Sequence, residues 1–322
     1  MARILVTGGA GYIGSHTVNL LIQKGHDPVV VDNLSRGHRH SVDARRLQVL
    51  DLTDTAALET LIRREGIQAV IHFAGYIAVG ESVREPEMYF ANNVGGSISL
   101  LTAMQRAGVG RLVFSSTAAY YGIPERIPIP EDAPAAPVNP YGESKVMVER
   151  LLGWLDRCRG VRSVCLRYFN ACGADPDAGL GEEHDPETHL IPLLLRAVMT
   201  GNPVTVFGDD YDTPDGTCIR DYIHVCDLAE AHISALDYLL SDGPTAAFNV
   251  GTGKGYSVLD VIQAVEEATG KPVPRVIGPR REGDPPVLVA DSTKLRHAFG
   301  WEPQSSDIRH IVTSAWEFEK RK

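Results

Sequence analysis

Arg3-Ile4-Leu5-Val6-Thr7-Gly8-Gly9-Ala10-Gly11-Tyr12-Ile13-Gly14 opens the chain and decides its fold. An apolar run leads into a glycine-rich turn. Helical spacing of Ile13, Thr17, Leu20 and Leu21 follows. Strand, turn and helix in this order present backbone N–H groups and a positive helix end to a pyrophosphate. Gly8, Gly11 and Gly14 stand at G-x-x-G-x-x-G spacing. A second apolar run, Val29-Val30-Val31, ends in Asp32, about 20 residues on, where a carboxylate can accept the ribose hydroxyls of an adenosine. The pattern predicts a dinucleotide site. A carboxylate at 32 repels a 2′-phosphate and so favours NAD over NADP; Arg36 nearby works in the opposite direction.

Working outward, short apolar segments alternate with helical ones. Strands are expected at Leu47 to Leu50, Ala69 to Phe73, Arg111 to Ser115 and Val164 to Tyr168. Helices are expected near Ala56 to Arg64, Pro86 to Ala107 and Tyr141 to Cys158. This alternation implies an α/β fold with a doubly wound parallel sheet of the Rossmann type, with ligands at the carboxyl ends of its strands. From Ala171 the texture changes. Residues 171–187 read as a long Gly-, Asp-, Glu- and Pro-rich loop, and shorter mixed elements follow. Ser257 is expected to cap one helix, and another is expected from Asp307 onward. Residues 1–170 are therefore predicted to bind the dinucleotide and residues 171–322 to form a smaller mixed α/β substrate domain closing over the cofactor. The stretch 220–240 can pack back on the first domain.

Composition sets outer limits. The chain has 322 residues and a formal net charge of -10, which disfavours nucleic acid or an anionic membrane surface as its partner. No apolar stretch approaches the roughly 20 residues that cross a bilayer. The chain enters its first strand almost at once, so no signal peptide is expected. Five cysteines without a C-x-x-C pair suggest reduced, mostly buried thiols in the cytoplasm.

Tyr141 and Lys145 lie four apart on a predicted helix and share a face. The run Phe114-Ser115-Ser116-Thr117 ends the preceding strand. Such a sheet can bring the two places together beside a nicotinamide. Moving a tyrosine from about 10 to near neutrality takes roughly 4 kcal/mol of preferential phenolate stabilisation. The Lys145 ammonium and a positive nicotinamide can supply it, and Thr117 can hydrogen-bond the reacting hydroxyl and relay its proton. This is the arrangement needed to oxidise a secondary alcohol.

Several longer motifs carry a resemblance. Thr7 to His16, His72-Phe73-Ala74-Gly75, Val79-Gly80-Glu81-Ser82, Pro140-Tyr141-Gly142-Glu143-Ser144-Lys145, Arg167-Tyr168-Phe169-Asn170, Arg220-Asp221-Tyr222-Ile223-His224-Val225 and Pro279-Arg280-Arg281-Glu282-Gly283-Asp284 resemble the UDP-glucose 4-epimerases of the extended short-chain dehydrogenase/reductase family. The matches run nearly the full length. The resemblance implies that Tyr141 takes the proton of a sugar 4-hydroxyl while hydride leaves C4 for NAD. The 4-keto sugar then turns over and receives the hydride on its opposite face, so the cofactor stays bound. It also implies that Gly8, Gly11, Tyr12, Ile13, Gly14, Asp32, Asn33, Asp51, Leu52, Phe73, Ala74, Gly75, Ile77, Asn92 and Phe169, with Tyr141 and Lys145, contact the cofactor. It places Thr117, Asn170, Leu190, Phe207, Arg220, Arg281, Asp284 and Leu288 at the UDP-sugar. Arg220 and Arg281 suit a diphosphate chemically, because a guanidinium binds its oxygens bidentately. The family usually forms homodimers through two helices, here those near Pro86 to Ala107 and Tyr141 to Cys158. An apolar stripe of Met147, Leu151, Leu152 and Leu155 suits either that role or packing on the sheet.

Three positions depart from the family pattern. Ile77 stands where many relatives carry lysine, so either Lys145 bears more of the electrostatic burden or a backbone group substitutes. Thr117 replaces the common serine and keeps its hydroxyl. Leu288 replaces a tyrosine that restricts the sugar pocket, which leaves room for an N-acetylhexosamine. Sibling dehydratases and decarboxylases place proton-moving side chains after the strand-end residue; Ala118 and Ala119 here move none. A non-catalytic NAD sensor would not need Thr117, Tyr141 and Lys145 together. Glu182, Glu183, His184, Asp185 and His189 match no firm metal spacing, and the segment reads as a solvated, ligand-closing loop without a metal.

Overall fold

The computed structural model describes residues 1–281 and 284–322. The chain forms two compact units. The first comprises Met1–Gly122, Pro134–Arg167 and Ala229–Phe248; the second comprises Ile123–Ala133, Tyr168–Leu228 and Asn249–Lys322.

The first unit is built on one sheet. Its strands are β1 (Arg3–Thr7), β2 (Asp27–Asp32), β3 (Leu47–Val49), β4 (Ala69–His72), β5 (Arg111–Ser115) and β6 (Arg162–Tyr168), with Ala246–Val250 outermost beside β6. The spatial order runs β3-β2-β1-β4-β5-β6 and on to that outer strand, seven strands in all. The pairings from β3 across to β6 are parallel. The chain order reverses between β1 and β4, the switch point where ligands bind in sheets of this kind. The strands read as unbroken apolar runs because both faces are covered. Leu5, Val29, Val31, Val70, Leu112 and Phe114 pack with Leu58, Leu100, Met104 and Leu152 from helices in one core.

Local signals fix the helix that carries the tyrosine, Pro140–Arg159. Asn139 caps it by accepting the Gly142 N–H at 2.8 Å, Pro140 starts it, and Gly160 ends it at φ 67°. The expected single helix from Pro86 to Ala107 is interrupted: Pro86–Tyr89 and Gly96–Ala107 flank a π-helical turn, Phe90–Gly95. The stripe expected on Tyr141 to Cys158 divides as well. Leu151, Leu152 and Leu155 face the sheet core, whereas Met147 and Trp154 face outward, Trp154 60% exposed.

The second unit centres on the strand Ile219–His224, paired with Gly255–Ser257, Val287–Leu288 and Asn170–Cys172. The last of these takes Ala171 out of the expected loop. Val204–Phe207 pairs in parallel with Arg275–Gly278. Helices Leu190–Thr200, Val258–Thr269 and Ile308–Glu319 bury Leu194, Leu195, Val261, Val265, Ile311 and Val312 against this framework. Ser257 caps its helix as expected, in a reciprocal capping box with Asp260, and Asp307 caps the last one.

Candidate active site

The glycine turn of the first unit is a cradle with no room for side chains. Gly8 has φ 70°, and a Cβ there would lie 2.5 Å from the Ala74 nitrogen. A Cβ on Gly14 would lie 2.2 Å from the Gly8 carbonyl oxygen. The helix Tyr12–Gln23 follows with Gly11 as its cap residue and no side-chain cap, so its first-turn N–H groups face outward from bare backbone. This cradle fits a dinucleotide pyrophosphate. Asp32 is buried at the end of β2. One of its oxygens accepts the Ala10 N–H at 3.0 Å and the other the Leu34 N–H at 2.8 Å. Burial raises its pKa, and these backbone bonds oppose the rise. Asp32 thus holds the turn in shape as well as offering a carboxylate. Asp51 accepts the Asn33 amide at 2.7 Å and the Thr53 hydroxyl and N–H; these bonds hold its pKa down. Leu52 packs beside Gly96. Arg36 ion-pairs with Glu81 at 2.8 Å, which occupies the guanidinium the sequence left open for a 2′-phosphate.

The ends of β4 and β5 carry the reacting groups. Phe73 and Ala74 both donate their N–H groups to the Thr7 carbonyl, which fixes the Phe73-Ala74-Gly75 bend against the glycine turn. Ile77 is partly exposed. Asn92 donates to the Asn93 side chain at 2.9 Å. Asn93 in turn takes the Tyr76 N–H at 2.8 Å and donates to Ser144 Oγ at 3.0 Å. It lies within the π-helical turn, a local distortion often kept at functional sites.

Lys145 is 3% exposed; its Nζ donates to the Ser115 carbonyl at 2.9 Å and stands 6.0 Å from the Tyr141 ring centroid. Burial lowers its pKa to about 8, with Glu149 pulling the other way. Tyr141 is buried and hydrogen-bonded to Thr117; burial raises its pKa and that bond opposes the rise. Thr117 also accepts the Ala119 N–H at 3.1 Å, and so caps the short turn Ala118–Tyr121. Gly142 permits the approach of this turn, since a Cβ there would lie 2.8 Å from the Ala119 carbonyl oxygen. Thr117, Tyr141 and Lys145 therefore meet in one unit with the glycine turn.

Sequence reasoning assigned no role to the buried network beneath these groups. Ser116 Oγ donates to Glu149 at 2.5 Å, Arg167 binds both Glu149 oxygens, and its Nη1 donates to Tyr121 Oη at 2.9 Å. Glu149 lies one helical turn beyond Lys145, a spacing that offered a signal. His72 bridges Thr7 at 2.7 Å and Ser97 at 2.9 Å, and burial keeps it neutral, with a pKa lowered to about 3.

In the second unit, Arg220 ion-pairs with Asp284 and Leu288 is its register partner on the neighbouring strand. The Arg281 guanidinium lies 4.2 Å over the Phe207 ring. Asn170 starts its strand, Leu190 starts its helix, and Phe169 precedes Asn170. Glu282 and Gly283 lie outside the described residues. Asp221, missed from the sequence, is fully buried and accepts Thr252, Gly253 and Ala290 N–H groups, which anchors the loop beneath Arg220. The expected solvated loop at Glu182 to His189 is a correction: the Glu182 and Glu187 side chains are buried, because the two nearby imidazoles bind them. The cysteines differ too: all five are free, but only Cys165 and Cys172 are buried.

The model of the NAD dependent epimerase/dehydratase family matches residues 4–251. The chain belongs to that family. Within it, the chain is 50% identical over 317 residues to a UDP-glucose 4-epimerase of Streptococcus mutans, covering 97% of this chain and 95% of the relative. A UDP-glucose 4-epimerase of Brucella ovis, solved in complex with NAD, superposes with a TM-score of 0.96 at 46% identity, covering 98% of both chains. One from Stenotrophomonas maltophila, solved with bound NAD and formylated UDP-arabinopyranose, gives 0.96 at 41% identity, covering 100% of this chain and 98% of that one. The family depends on NAD, a dinucleotide whose pyrophosphate the cradle fits. No helix among the described residues is long and apolar enough to cross a membrane.

Proposed function

We infer that this chain is an NAD-dependent UDP-hexose 4-epimerase, an isomerase that interconverts UDP-glucose and UDP-galactose. The observation that carries this reading is the meeting of Thr117, Tyr141 and Lys145 in the unit that holds the glycine cradle. Near-full-length identity to curated epimerases supports it.

Gly8, Gly11, Tyr12, Ile13 and Gly14 hold the NAD pyrophosphate. Asp32 and Asn33 take the ribose, Asp51 and Leu52 flank the adenine, and Phe73, Ala74, Gly75, Ile77, Asn92 and Phe169 line the rest. NAD, when bound, supplies the hydride acceptor and donor for C4 and, in its oxidised form, a positive charge. Tyr141 Oη removes the proton from the sugar 4-hydroxyl and later returns it. Thr117 orients that hydroxyl and relays the proton. Lys145 stabilises the phenolate: its Nζ stands 6.0 Å from the Tyr141 ring centroid, where a unit charge contributes about 3 kcal/mol at an effective dielectric of 20. An unperturbed tyrosine needs roughly 4 kcal/mol to ionise near neutrality and burial raises that need, so the positive charge of oxidised NAD would supply the remainder. Ala118 and Ala119 carry no proton-moving group, so elimination of water is not supported.

The second unit is assigned to the nucleotide sugar, with Asn170, Leu190, Phe207, Arg220, Arg281 and Asp284 at UDP and Leu288 at the sugar. Arg220 exchanges its Asp284 partner for diphosphate oxygens. Leucine at 288 admits UDP-N-acetylhexosamines as well. The protein acts as a homodimer, supported by outward apolar side chains on the two expected helices, Ile98 (48% exposed), Met147 and Trp154. Its five free thiols support a cytoplasmic setting.

Incubating the purified protein with UDP-galactose, UDP-N-acetylgalactosamine and UDP-xylose, with no cofactor added, tests this reading. Formation of UDP-glucose and UDP-N-acetylglucosamine is expected. Absence of any 4-epimer product from protein that carries NAD would refute it.

A further inference from the structure

The loop that runs into Leu190 holds a side-chain cluster that 4-epimerisation does not use. Glu182, His184, Glu187 and His189 each turn one donor atom inward, and these four atoms all lie within 4.8 Å of one another. Both imidazoles aim Nδ1 at the same Glu182 oxygen, His184 at 3.0 Å and His189 at 2.6 Å. The Glu187 oxygens stand 4.0 Å from His184 Nδ1 and 3.4 Å from His189 Nδ1. The Glu182 and Glu187 side chains are 6% and 2% exposed.

The loop is held in this shape from outside. A Cβ on Gly181 would lie 2.3 Å from the Phe318 ring, so only glycine lets the chain pass there. The Lys322 ammonium donates to the Glu182 carbonyl at 3.2 Å. Glu187 accepts the N–H groups of Thr188 and His189 at 2.7 and 2.8 Å. The loop backbone at Glu182 and the Glu187 carboxylate are thus fixed by contacts that do not depend on the imidazoles.

Two buried carboxylates face two imidazoles that balance them by holding protons. A divalent cation bound by two carboxylates and two neutral imidazoles is also charge-neutral and releases those protons to solvent. Metal–ligand distances of about 2.0–2.2 Å put neighbouring donors about 3.3–3.6 Å apart in tetrahedral geometry. The carboxylate–imidazole separations of 2.6–4.0 Å bracket that value and all four donor atoms lie within 4.8 Å of one another, so pairwise shifts of up to about 1.5 Å complete the shell. Two imidazole nitrogens beside two carboxylate oxygens suit a borderline ion such as zinc(II) and disfavour magnesium or calcium, which select oxygen alone. His189, 45% exposed, gives the ion a path from solvent.

We propose that Glu182, His184, Glu187 and His189 form a binding site for one divalent transition-metal ion, best matched to zinc(II). Because His189 is the cap residue of the helix beginning at Leu190, the ion pins the start of that helix.

The test uses the full-length protein, treated with a chelator and then titrated with zinc chloride by calorimetry. Cobalt(II) serves as a spectroscopic probe. Uptake of one ion per chain is expected, with the visible absorption of four-coordinate cobalt. His184→Gln and the near-isosteric Glu187→Gln should each weaken binding at least tenfold, with circular dichroism unchanged. If His184→Gln fails to fold, Glu187→Gln decides alone. His38→Asn, in the stacked His38–His40 pair, and Cys158→Ser, at the exposed thiol, should leave binding as it was. No stoichiometric uptake, uptake that survives Glu187→Gln, or uptake lost in either control variant would each overturn the proposal.

Discussion

Replacing Lys145 with methionine should stabilise the protein near neutral pH while removing its activity. The ammonium is buried, and its pKa falls from 10.5 to about 8. Keeping this ammonium charged in the interior therefore costs about 3 kcal/mol below pH 8. Methionine keeps the bulk of the stem and removes the charge. It also removes the hydrogen bond to the Ser115 carbonyl, which offsets about 1 kcal/mol. A net gain of about 2 kcal/mol is expected at pH 7. The sign reverses with pH. Between about 8 and 10.5 the unfolded chain binds the lysine proton and the folded one does not, so the unmodified protein gains stability as pH rises. The gap between the two proteins should therefore close, by about 2 kcal/mol between pH 8 and pH 10. Urea unfolding of both proteins, freed of dinucleotide, across pH 7 to 10 measures it. Parallel stability profiles would refute the claim that this lysine is held against its preferred charge.

Gly14→Ala would place a methyl group 2.2 Å from the Gly8 carbonyl oxygen, so the purified variant should lose its NAD, read from the ratio of absorbance at nucleotide and protein wavelengths. Glu149→Ala removes the carboxylate that binds the buried Arg167 guanidinium and should destabilise the protein by about 3–5 kcal/mol in urea. Leu288→Tyr should lower turnover of UDP-N-acetylgalactosamine at least tenfold relative to UDP-galactose, measured by separating the products.

The first unit was legible where chemistry is local. Short apolar runs placed six of its seven strands to within two residues, because strands covered on both faces have no other pattern; the outermost, Ala246–Val250, was not anticipated. The glycine turn and the Tyr141–Lys145 pair were legible because steric demand and helical spacing are properties of adjacent residues. Long-range convergence was not. Glu149 and Arg167 come from a helix and a strand, and nothing in either segment alone says that they pair. Ile123–Ala133 joins the second unit although its neighbours in sequence lie in the first. The π-helical turn hid inside an unbroken helical pattern. Glu182 to His189 reads as solvated from its polar composition, whereas the His184 and His189 imidazoles and the Thr188 and His189 N–H groups hold the Glu182 and Glu187 carboxylates inward.

The most direct measurement compares UDP-galactose turnover by the unmodified protein and by Tyr141→Phe, each with its own bound NAD. Loss of the phenol hydroxyl is expected to reduce the rate at least a thousandfold with dinucleotide content and unfolding midpoint retained. A variant that epimerises within tenfold of the unmodified rate would show that another group moves the proton.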